Sequence, residues 1–155
     1  MIFALLFATL ATAVQSLPPS LSPRTALERL AEADPKVRWD GKSDLRADFD
    51  GDGRSDQAFL GRKAGRVYVG VVRAAAQQPE VVDFAVDPGA QKAICAEPAK
   101  LVVESLDYDP TVAVGPIEGF RRSRTSKGLR LSGGEWDSIH LFWNHASKRL
   151  DWWRA

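Results

Sequence analysis

Four carboxylates fall within nine residues, Asp48-Phe49-Asp50-Gly51-Asp52-Gly53-Arg54-Ser55-Asp56. Held in one ordered turn, they repel each other unless a cation lies between them, and hard oxygen donors select a hard divalent ion such as Ca2+. Alternate residues of a tight loop can point inward, and Gly51 and Gly53 supply corners that a side chain would oppose. A solvated acidic turn holding no ion is the competing reading.

A twelve-residue EF-hand starting at Asp48 would need a bidentate glutamate at position 59, where this chain has Phe59. The stretch is instead flanked by alternating segments that read as strands, Leu45-Arg46-Ala47 before it and Gln57-Ala58-Phe59-Leu60 after it. D-x-D-G-D-G-x-x-D between two strands resembles the calcium loop of FG-GAP repeats (integrin-type, also called VCBS). That resemblance implies side-chain ligation by Asp48, Asp50, Asp52 and Asp56, and ligation by the main-chain carbonyl of Arg54. Four carboxylates and one divalent ion leave about two negative charges, which Arg46, Arg54 or Lys42 could offset. Extracellular calcium modules bind weakly, with Kd of roughly 10⁻⁴ to 10⁻³ M, so the ion is expected to fasten structure and not to signal.

Little else has the makings of catalysis. The only histidines are His140 and His145, and the chain contains neither an H-E-x-x-H helix nor a G-x-S-x-G elbow. Glu135 and Asp137 could be imagined as a glycosidase pair, but their spacing equally suits a polar strand end. Cys95 is the sole cysteine, which excludes an internal disulfide, and it reads as a small buried apolar residue. A binding protein, not an enzyme, is the expectation.

Two features could bind a partner. Ser132-Gly133-Gly134-Glu135-Trp136 resembles the S-G-x-x-Y loop of periplasmic lysozyme inhibitors, with Trp136 in the place of tyrosine. The resemblance implies that Ser132, Gly133, Gly134 and Trp136 enter a hydrolase cleft, with Arg121, Arg122 or Arg124 adding contacts to its acids. The run 121–128 itself reads as a solvated basic turn; it lacks the interleaved aromatic platforms that nucleic-acid binding would want. Trp143, Trp152 and Trp153 cluster on a closing hairpin, as core or as a sugar-stacking platform for an adhesion module.

The elements that must position these residues are mainly strands. Residues 1–16 read as a secretory signal peptide, apolar through residue 14 with a small-x-small site at Ala11-Thr12-Ala13, though no Lys or Arg precedes the apolar run. Residues 17–35 read as a linker and one short helix, opened by Ser22-Pro23 and stopped by Asp34-Pro35. Residues 36–155 then read as one calcium-stapled β domain. Period-two patterning predicts strands at 37–39, 45–49, 57–63, 66–72, 81–86, 101–106, 138–143 and 149–153. With 155 residues and 45% hydrophobic content the chain can bury one core and cannot build a full propeller. The expected fold is a mainly β, antiparallel sheet or sandwich with one short N-terminal helix. The layout resembles the single-loop FG-GAP-like proteins of bacterial envelopes, which implies a periplasmic or secreted location. A net charge of +1 singles out neither nucleic acid nor membrane as partner.

Overall fold

The computed structural model describes residues 23–134 and 138–154, with side chains from residue 25 onward. The expected leader, most of the linker, and Glu135, Trp136 and Asp137 lie outside the described residues.

Among the described residues ten strands form two sheets that face each other, and neither closes into a barrel or propeller. In the first sheet β1 (Arg38–Trp39) and β2 (Leu45–Ala47) both pair with β3 (Asp56–Lys63), followed by β4 (Arg66–Val72), β5 (Glu80–Val86) and the two-residue parallel strand β6 (Ala93–Ile94). The second runs β10 (Arg149–Trp153), β9 (Ile139–Asn144), β8 (Ser123–Ser132), β7 (Lys100–Leu106), antiparallel throughout. Every other residue faces inward, as a strand's pleat requires. Ala58, Leu60, Val67, Val69, Val71 and Phe84 from the first sheet meet Leu101, Leu129, Leu131, Ile139, Leu141 and Leu150 from the second in one core.

Both outer faces are covered, by different means. On the first sheet lies the amphipathic helix α1 (Pro23–Ala33), whose Ala26 and Leu30 pack on Phe59 and Val72 with Trp39 beside them. Gly70 admits the helix, and Gly61 admits the segment that follows it. A Cβ on Gly70 would stand 2.5 Å from the Leu30 Cδ2 and 2.8 Å from the Trp39 ring, and one on Gly61 would stand 2.4 Å from Val37. On the second sheet lies a strap, residues 107–122, that connects β7 to β8 and contains α2, the four-residue turn Thr111–Val114. Its Tyr108 and Phe120 rings pack on each other and on Trp153 and Phe142.

One strand departs from the expectation. The basic run 121–128, read as a solvated turn, is mostly the first half of β8. That half pairs only with β7, across an irregularity where Ser123 faces Leu106 and Lys127 faces Ser105, while β9 joins β8 only at Leu129–131. With an open edge on one side, charged side chains can stand in solvent, so the alternation that betrays a strand is missing.

Candidate metal centre

The acidic loop sits at the end of the sandwich where both sheets are within its reach. Its frame is backbone hydrogen bonding: Lys127 N, on β8, donates to the Asp48 carbonyl at 2.8 Å. The Asp56 carboxylate, 1% exposed, takes Phe49 N on Oδ2 at 2.9 Å and Ala74 N on Oδ1 at 2.8 Å, so it ties both ends of the loop to the chain leaving β4. Gly51 and Gly53 occupy φ of 81° and 82°, a conformation in which a Cβ would be strained.

Three of the four expected carboxylates converge. Asp48, Asp50 and Asp56 each offer an oxygen, all within 4.8 Å of one another. Two oxygens at calcium's usual 2.3–2.6 Å stand at most about 5 Å apart, so the separation suits one shared ion. All six oxygens of these carboxylates already accept one N–H: Asp48 from Gly51 and Gly53, Asp50 from Asp52 and Arg73, Asp56 from Ala74 and Phe49. A carboxylate oxygen has two lone pairs, so each keeps one for a metal, and the donors hold it in place. Asp52 is outside this group: it is exposed, and its Oδ1 accepts Arg54 N at 2.8 Å.

The cluster concentrates negative charge. Burial pushes the Asp56 carboxyl up to about 6, with the Asp50 and Asp52 charges adding to the effect and the two backbone donors opposing it. Arg46, Arg54 and Lys42 are the cations expected to offset this charge. Arg46 instead pairs with Asp44 at 3.1 Å. The cation at the cluster is Arg73, which follows β4: one guanidinium nitrogen donates to Asp50 Oδ2 at 3.1 Å, the other lies 3.8 Å from Glu80, and the group sits 4.2 Å from the centroid of the Trp143 ring. Three carboxylates, Arg73 and a divalent ion would sum to zero. Arg73 stands 23 residues from Asp50, and no local pattern in the sequence links them.

The expected partner surface divides between the two ends of the molecule. Arg121 and Arg122 lie just before β8 and Arg124 is its second residue, beside the acidic loop, whereas Ser132 ends β8 and Gly133 and Gly134 follow it. The β7 partners of Ser123 and Ser132 are six residues apart, roughly 20 Å along a strand. The arginines therefore do not flank the Ser132 loop. Gly133 is buried, where a Cβ would come 2.2 Å from the Ala96 carbonyl oxygen, and Gly134 has φ of 80°; both glycines answer a packing need against 94–96. Trp136 is outside the described residues.

The closing hairpin is engaged internally. Trp143 is buried under Arg73, Trp152 turns its edge to Phe84 in the core, and Trp153 stacks on His140 at 4.2 Å. His140 Nδ1 in turn meets Glu104 at 3.0 Å. Cys95 is free and half-buried, near Arg154. No family model, curated protein or solved structure matches this chain.

Proposed function

We propose that this protein is an exported β sandwich that holds Ca2+ in the 48–56 loop as a structural fastener and works by docking a protein partner. The observation that carries the metal reading is the convergence of Asp48, Asp50 and Asp56 within 4.8 Å in a loop bonded to both sheets. Those three side chains would hold the ion, which would supply the positive charge that Arg73 alone does not. In 5 mM calcium, roughly five- to fiftyfold above a Kd of about 10⁻³ to 10⁻⁴ M, such an ion adds about 1–2.3 kcal/mol to stability, roughly 2–9 °C in Tm for a domain of this size. Scanning calorimetry in 5 mM calcium and in chelator is the test; equal Tm values would remove calcium from the account.

For the partner we propose a peptidoglycan hydrolase, inhibited or neutralised by binding. The apolar leader, the Ser132-Gly133-Gly134 motif and the lack of a catalytic set in the sequence support that class. Of the two ends, the arginine end is the better docking surface, because Arg122 and Arg124 extend into solvent while Gly133 is packed under Ala96. Mixing the full chain in molar excess with several lysozymes and following cell-wall clearing tests this. Unchanged clearing would remove the hydrolase and leave the calcium reading standing.

A further inference from the structure

β7 and β8 are antiparallel neighbours, with Leu106 opposite Ser123, and a turn of two to five residues could join them. The chain instead inserts the 16 residues 107–122. Connections of that length are uncommon in a compact domain and go with binding. The ends of this strap are well fixed: Tyr108 and Phe120 pack on the sheet, and Gly119 accepts His145 N at 2.9 Å while Asn144 donates to the Glu118 carbonyl. The middle is not packed. Val112 in α2 is 92% exposed and Val114 37%. Between middle and ends, Tyr108, Pro110, Pro116, Ile117, Phe120 and Arg122 line a recess of about 320 Å³, mostly apolar. That is the lower end of the range for binding pockets and suits one large side chain.

The rim is cationic. Arg122 and Arg124 share the Asp107 carboxylate at 2.7 and 3.5 Å, and Arg121 beside them is exposed, so these arginines exceed Asp107 and the neighbouring Asp109 by one positive charge. Asp109, which also lines the recess, is turned to Thr111, whose N and Oγ1 donate to its Oδ1 at 3.0 and 2.6 Å. We propose that this recess is an anchor pocket, and that its occupant is an acidic segment of a protein partner. One apolar side chain of leucine or phenylalanine size enters the recess against Ile117 and the packed Tyr108 and Phe120 rings, and flanking carboxylates pair with Arg121, Arg122 and Arg124. A lipid surface fits less well, since a concave recess takes a single group and α2 projects only one turn, whereas interfacial anchoring needs a longer apolar face.

This inference rests on the reading that the chain works by binding, and it is independent of calcium. The test is an NMR titration of the ¹⁵N-labelled full chain with the peptide acetyl-Asp-Glu-Phe-Glu-Asp-amide, and with the same peptide carrying Ser for Phe. The expected result is amide shifts grouped in 108–122, at least tenfold weaker binding by the Ser peptide, and at least tenfold weaker binding of the Phe peptide to Arg122→Glu. Val112→Glu, at a position too exposed to affect folding, should weaken it about threefold. Equal binding of the two peptides, shifts centred on 132–134, or no shift at millimolar peptide would each overturn the proposal. So would Val112-dependent sedimentation with phosphatidylglycerol vesicles, which would make the strap a membrane anchor. Repeating the titration in chelator separates this result from the calcium reading, and a clearing assay that shows no hydrolase affected leaves the pocket intact.

Discussion

Asp56 does two things at once, and they can be separated by substitution. Its oxygens accept Phe49 N and Ala74 N, so Asp56→Asn turns an amide NH2 toward a backbone donor and leaves one of them unpaired. We expect a loss of about 1–3 kcal/mol, read as a lower urea midpoint even in chelator. Asp50→Asn should leave the metal-free protein nearly as stable but weaken calcium more than tenfold by calorimetric titration, whereas Asp52→Asn, outside the converging group, should weaken it by less. Arg73→Met tests the counter-charge: the thioether can still lie on Trp143, but Asp50 loses its cation. Tm in chelator should fall, and the gap between chelator and calcium should widen; an unchanged gap would mean that Arg73 is not sensed by the ion.

Among the elements, α1 depends on Gly70, a position without a side chain. Gly70→Ala would drive a methyl to 2.5 Å from Leu30 and 2.8 Å from Trp39, so helix or indole must shift at a cost of about 1–3 kcal/mol. Leu30→Ala, emptying a fully buried site, should cost about 2–5 kcal/mol. Equilibrium unfolding reads both, and the Gly70→Ala defect should be partly relieved by Leu30→Ala in the double variant if the clash is the cause. Tyr108 offers a spectroscopic view of the strap. Burial, with the Glu104 charge adding to it, pushes its phenol up to about 12. The neutral phenol is thus favoured in the folded state: the stability tied to it is present below pH 10 and is lost as pH rises toward 12. Absorbance near 295 nm should show this phenolate forming only at that upper limit, and Phe in its place should remove the late step.

At the scale of the whole molecule, the two sheets, the helix and the strap put opposite charges at one end: the acidic loop, Arg73 and the arginines of residues 121–124. The other end carries Ser132, Gly133, Gly134 and Cys95. A partner therefore meets one end or the other. Cross-linking or protection mapping of any partner found should fall on 108–124 and spare 132–134; the reverse footprint would favour the serine loop.

How much of this could be read beforehand depended on the range of the cause. Period-two alternation located β3, β4, β5, β7, β9 and β10 to within a residue or two, because a strand's two faces write their burial into adjacent residues. Pro23 and Asp34-Pro35 bracketed α1, because helix ends are chemically local. The D-x-D-G-D-G spacing marked three carboxylates that do converge, since nine consecutive residues and two glycines set that geometry on their own. What the tertiary structure decided was everything set by contact between distant residues: Arg73 against Asp50, the strand hidden in the basic run, the division of Ser132 from the arginines, the tryptophans packed on core or strap, and the recess under α2. A linear pattern carries no term for which strand end faces which, and those pairings exist only once two sheets have packed.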